Sequence, residues 1–226
     1  MNLFREKQIL LLFIPLLFIS CAQQKENQEQ ANTSEEVSFE SLYQNSSEYE
    51  TYIADLQNEK WQTIYNSSDP IREDLLAAAQ VIPGSWKLLV INNDETVDAV
   101  NTIPHIAKLA RRVHSLELRI TSPPEQANQI TGRYQTYNGR NAYPVILLID
   151  EDYREVGCWI ERPAELQRRF SELPEGLSDE EIEEALIDWY QQNGGVRTID
   201  EIIKIIHAAN SGDRICPVPE EGLRGR

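Results

Sequence analysis

The chain is predicted to fold as an α/β protein, on three observations. Short apolar runs at residues 87–92, 116–120, 143–149 and 155–160 have the length and character of strands. Between the first two, residues 96–113 carry Val97, Val100, Ile103, Ile106, Leu109, Ala110 and Val113 at helical spacing. Turn signals separate the runs: Pro83-Gly84, Asn138-Gly139 and Asp150-Glu151-Asp152. Strands alternating with helices are the mark of a layered α/β domain.

Each element follows in order. Residues 37–79 read as helical, with Phe39, Leu42, Tyr43, Tyr49, Tyr52, Ile53, Leu56, Trp61, Ile64 and Tyr65 at three- and four-residue spacings. Asp69-Pro70 interrupts that run and residues 71–80 resume it. So many aromatics on a helical period point to core packing rather than a ligand cradle. Pro123-Pro124 opens a short helix toward Tyr137. The run after Tyr143-Pro144 is the most apolar strand, hence a central one. Alternation in the next strand puts Val156, Cys158 and Ile160 on one face. Arg162-Pro163 starts a helix, and Leu177-Ser178 caps another whose first turn holds Asp179, Glu180 and Glu181. That helix passes Leu186, Trp189 and Tyr190 and is expected to stop at Gly194-Gly195, before a last helix over residues 199–209. Residues 211–226 read as irregular.

The two chain ends differ from this block. Arg5 and Lys7 precede an apolar run of 11 residues, 9–19, followed by Ser20-Cys21. Such a run is too short to span a bilayer but suits a signal-peptide core. A small residue before a cysteine at that point resembles the bacterial lipobox, which makes residues 1–20 a lipoprotein signal peptide and Cys21 the acylated, membrane-anchoring residue. The alternative is an ordinary cleaved signal with an incidental cysteine. Residues 21–36 are polar and lack an apolar period, so they read as a tether with a reach of roughly 20 Å. The expected location is the bacterial cell envelope, with the protein held to a membrane by lipid. Of three cysteines, Cys158 and Cys216 remain, and in an exported protein they form either one disulfide or two independent thiols.

Charge narrows the partners. A formal net charge of −16 over 226 residues disfavours nucleic acid, which requires a basic surface. His105, His114 and His207 lack metal-ligand spacing, and the acidic residues between 172 and 184 lack a calcium-loop pattern. No phosphate loop or nucleophile elbow is present. No metal or cofactor is expected.

Residues 94–104 are the most informative segment. A buried strand that delivers its last residues to a helix start is the layout thiol chemistry uses, because the helix N-terminus carries about half a positive charge. The thioredoxin signature reads W-C-G-P-C, then four residues, then proline. On that frame Glu95 takes the Trp place, Thr96 and Ala99 the two cysteine places, and Pro104 the helix proline. Tyr143-Pro144 falls where the fold carries its cis-proline loop. Asp98, Ala99, Trp159, Arg162 and Pro163 also match a bacterial branch that shows D-W-C-G-D-A and W-G-P-R-P. The chain therefore resembles the thioredoxin superfamily over roughly residues 80–210. The resemblance implies a thioredoxin-like fold, a central mixed sheet of about four or more strands flanked by helices, over residues 85–176. Helical extensions are expected at residues 37–84 and 177–210.

It also implies a degenerate site. A threonine hydroxyl supplies neither a thiolate nor a redox couple, and Thr96 reads instead as a helix cap worth about 1 kcal/mol. Val90 stands where thioredoxins bury an aspartate. The expected function is non-catalytic binding of an extended peptide or protein in the envelope, at Glu95, Thr96, Tyr143 and Pro144, by strand addition. The rival reading is a thiol-disulfide oxidoreductase that uses Cys158 or Cys216, although neither belongs to a Cys-x-x-Cys pair.

Overall fold

The computed structural model describes residues 38–67, 71–93, 96–122, 132–136, 140–174 and 176–216. The expectations for residues 1–36, for Glu95, for most of the helix after Pro123 and for residues 217–226 lie outside these. Among the described residues four short helices come first: α1 (Phe39–Gln44), α2 (Tyr49–Leu56), α3 (Glu59–Ser67) and α4 (Glu73–Gln80). The helical pattern expected from residue 37 to the break at Asp69-Pro70 is interrupted at the Ser47 bridge to Ile120 and at Gln57, whose φ of 53° is left-handed.

The sheet comprises β1 (Trp86–Ile91), β2 (Leu116–Thr121), β3 (Val145–Ile149) and β4 (Glu155–Ile160), in the order β2-β1-β3-β4. β1 and β2 are parallel, joined by α5 (Val97–Arg112), while β1–β3 and β3–β4 are antiparallel. The sheet is thus mixed and flanked by helices, as expected. Every residue of β3 is buried, which its unbroken apolar run requires of a central strand.

Alternation along the strands divides the core in two. Leu88, Val90, Ile146, Leu148 and Trp159 face α5 and the helices packed with it, whereas Leu89, Ile91, Val145, Leu147, Cys158 and Ile160 line the opposite face. Val156 departs from the expectation that it would share a face with Cys158 and Ile160. It is skipped in the β3–β4 register, where Gly157 opposes Leu148 but Glu155 opposes Ile149. This bulge turns Val156 toward the first core.

After α6 (Ala164–Ser171) comes α7 (Asp179–Trp189), whose Ser178–Glu181 pair forms a complete capping box. The expected stop at Gly194-Gly195 does not occur. The backbone runs through a π-helical turn, Tyr190–Gly194, directly into α8 (Gly195–Asn210). The reason is close approach rather than helix breaking: a Cβ on Gly195 would lie 2.5 Å from the His105 ring of α5. Burial first, and the Lys108 charge second, hold the His105 imidazole down to about 4, so it packs there as a neutral ring. Gly195→Ala is expected to cost about 1–3 kcal/mol through overpacking. Urea denaturation would show it, and an unchanged midpoint would refute the contact.

Candidate functional site

The site is built where β1, β3 and β4 deliver their ends to the start of α5. Thr96 is the N-cap of α5: its backbone is extended and its Oγ1 accepts a hydrogen bond from the Ala99 amide at 3.1 Å. The residue is exposed, and Ala99, three positions on, is fully buried. Thr96→Val keeps the shape but loses the acceptor, so a loss of about 1 kcal/mol is expected in thermal or urea unfolding. An equal stability of the two proteins would contradict the capping role.

Pro104 lies inside α5 with no break in the helix. Pro104 is buried on the helix face whose Ile103 and Ile106 join the first core. Val90 is fully buried among apolar neighbours. Across from the helix start, the Tyr143–Pro144 bond is cis, as the loop assignment expects. Tyr143 is half-buried against the second core, and the Pro144 carbonyl accepts the Glu161 amide at 2.7 Å.

Below this surface lies a feature that sequence reasoning missed. Asp98, in the first turn of α5, is 4% exposed. Its Oδ2 accepts from Arg162 Nη2 at 2.6 Å, and its Oδ1 from the Tyr190 hydroxyl at 2.6 Å. The same Arg162 nitrogen reaches Glu161 Oε1 at 2.7 Å, and Arg140 pairs with that carboxylate from the half-exposed side. Two carboxylates are therefore balanced by two guanidinium groups, with the inner three side chains almost dry. Arg162 also stacks over Phe170, its central carbon 4.3 Å from the ring centroid.

Burial pushes Asp98 up to about 6; Arg162 opposes that rise, and Glu161 adds to it. Burial, then the Asp98 charge and hydrogen bond, raise the Tyr190 phenol well above 10. Tyr190 therefore stays a hydroxyl donor to Asp98 over the whole ordinary range. Glu161 holds a left-handed backbone, φ 62°, which costs a non-glycine residue about 1–2 kcal/mol. That turn aims its amide at Pro144 while its carboxylate faces Arg162. Gln167 closes the turn from α6, donating to the Ile160 and Arg162 carbonyls at 2.9 and 3.0 Å.

The network ties the α5 start, the Pro144 loop, the end of β4 and the π-helical turn into one rigid unit. The available signal was the charged pair Glu161-Arg162 directly after a buried strand, together with the Asp98 match. Neither indicated that the two would meet. Cys158 and Cys216 form a disulfide. It lies on the second face of the sheet, whereas α5 packs on the first, so these sulfurs do not stand in for residues 96 and 99. Among the described residues no cluster with the makings of a metal site occurs, and no helix is long and apolar enough to cross a membrane.

This helix start, proline loop and sheet order define a thioredoxin-like domain. The family model described as Thioredoxin matches residues 43–174, more than half of the chain, and the chain belongs to that family. The match takes in most of the N-terminal helices as well as the sheet. Two solved structures are similar in fold. One is a protein of unknown function from Pseudomonas aeruginosa, 18% identical, with 76% of this chain and 99% of that chain covered at a TM-score of 0.57. The other is an HIV epitope scaffold, 17% identical, with the same coverage and a TM-score of 0.56. Such identities speak to the fold alone. No curated protein matches the chain.

Proposed function

We propose that this protein is a thioredoxin-family envelope lipoprotein whose redox site has degenerated, and which binds an extended peptide or protein segment without turning it over. The observation that carries the reading is the fate of Thr96. The hydroxyl at the first cysteine place is committed to capping α5, and the second place is a buried alanine. Thiol exchange needs an attacking thiolate, and neither residue supplies one. The buried Asp98–Arg162 pair supports a structural use of the same helix start, because it fixes the loop geometry with charge that is already matched.

The binding surface in this reading is the exposed Thr96, the half-buried Tyr143 and the Pro144 loop; Glu95, which precedes Thr96 in the sequence, lies outside the described residues. An extended segment would add along it by backbone hydrogen bonds, as strand-addition partners do. The lipid-modified Cys21 and the polar residues after it would hold the domain near a membrane.

The test uses the full chain in two assays. Fluorescence anisotropy with a labelled, carboxymethylated unfolded polypeptide should report saturable binding, weakened by Thr96→Trp and Tyr143→Ser variants that keep their circular dichroism. Insulin reduction with a dithiol donor should stay at the uncatalysed rate. Equal binding by the variants would remove the groove. Catalysed insulin reduction would instead favour the rival reading, an oxidoreductase working through Cys158 or Cys216.

A further inference from the structure

The described chain ends on the edge of the sheet. β4 is the last strand in the order, and such an edge presents unpaired backbone groups to a passing strand. Residues 213–216 run beside it. The Cys158 amide donates to the Ile215 carbonyl at 3.1 Å, and Arg214 holds Glu155 through both carboxylate oxygens at 2.9–3.1 Å. Ile215 packs against the first core and Cys216 against the second, the alternation of a strand residue pair. Gly157 admits this neighbour, since a Cβ there would stand 3.3 Å from the Ile215 carbonyl oxygen as well as 2.5 Å from Ile205. The Cys158–Cys216 bond, spanning a sequence separation of 58, fastens the segment in place.

The two sulfurs differ in access. Cys158 is 1% exposed within the sheet, whereas Cys216 is only partly buried and follows the exposed residues Asp213 and Arg214. An attacking thiolate therefore reaches Cys216 first. Among the described residues the remaining grip is weaker: one backbone hydrogen bond, the packing of Ile215, and an ion pair whose arginine is half in water.

We propose that Cys158–Cys216 is a thiol-exchange site controlling a strand-addition surface, with residues 213–216 of this chain as the occupant of the β4 edge in the oxidised state. The reductant is a dithiol. One of its thiolates attacks Cys216 Sγ, the Sγ–Sγ bond breaks, and Cys158 leaves as a thiolate that takes a proton. The second thiol of the reductant then attacks its own sulfur in the mixed disulfide and releases Cys216. Two electrons enter the pair, and the reductant leaves as a cyclic disulfide. The segment then departs and the edge lies open. This inference does not rest on the peptide surface at Thr96, which caps the helix packed on the first face of the sheet, whereas the disulfide lies on the second.

The experiment compares the folded full chain before and after dithiothreitol treatment and alkylation, and includes Cys216→Ser without reductant. Trypsin cleavage after Arg214, read by mass, should accelerate at least about tenfold in both open forms. Hydrogen exchange at the Cys158 amide should rise with it, while near-ultraviolet circular dichroism stays native. Three results overturn the proposal: a disulfide that resists the dithiol in the folded protein, unchanged protection once both thiols are alkylated, or loss of the whole fold on reduction.

Discussion

Arg162→Met will cost the protein about 3–5 kcal/mol at neutral pH, because it strands a buried charge pair rather than removing a surface one. Arg162 is 4% exposed and serves Asp98 and Glu161 through the same Nη2. Without it, two carboxylates sit close together in a dry site, with only Arg140 left on the outer one. The loss will depend on pH, and its sign follows from Asp98. The folded-state pKa, about 6, lies above the ordinary value of 3.8. The folded form therefore binds more protons between those values, and its contribution is complete below 3.8 and declines as pH rises through 6. Removing the guanidinium raises that pKa further, so the variant will be weakest at high pH and partly recover as Asp98 takes up a proton. Urea midpoints at pH 5 and 7.5 measure this, with a slope of at most about 1.4 kcal/mol per pH unit for one proton. Equal losses at both values would mean that Arg162 acts through packing on Phe170 instead. Asp98→Asn, which still accepts from Tyr190, should flatten the pH dependence between 4 and 7.

Trp159→Ala is the second large effect. Trp159 is fully buried in the first core, and its indole N–H donates to Glu201 Oε2 at 2.8 Å. Truncation to alanine should cost about 3–5 kcal/mol in cavity and lost contacts. It also leaves Glu201, whose carboxyl is already raised by burial, with the partly buried Ala164 amide as its hydrogen-bond donor among the described residues. Trp159→Phe separates the two contributions: most of the ring volume stays, the donor goes, and about 1–3 kcal/mol should be lost. If the phenylalanine variant matched the parent in chemical denaturation, the Glu201 bond would have no net worth. Since Glu201 titrates above its ordinary value, its contribution also falls as pH rises, and more steeply in the phenylalanine variant.

Much of the scaffold was legible because its signals are local. The unbroken apolar run of β3, the helical spacing of α5 and the Ser178 cap each specify their element within one turn or one strand. The two prolines, Pro104 and Pro144, carried the family resemblance for the same reason: each restricts its own stretch of backbone. Errors came where a residue's meaning depended on a distant partner. Gly195 looked like a helix stop, yet its missing side chain answers to His105, ninety residues away in α5. Val156 follows strand alternation in sequence, but a bulge in its pairing with β3 moves it to the other face.

The candidate site divides along the same line. Thr96 as a cap could be read directly, since a cap involves only the residue and the amide three positions on. Asp98 could not, because a carboxylate in the first turn of a helix satisfies the dipole rule whether it faces water or a guanidinium. Cysteine parity left Cys158 and Cys216 open between a bridge and two thiols, and the path of residues 213–216 along the edge of β4 joined them. The amino-acid sequence by itself determined which segments form the strands of the sheet, the helix between β1 and β2, and the cap that Thr96 gives that helix. The tertiary structure alone decided that Asp98, Glu161, Arg162 and Tyr190 meet in one dry cluster and that residues 213–216 run beside β4. Backbone conformation is set by neighbours along the chain, whereas the charge state and burial of a side chain are set by whatever the fold brings against it.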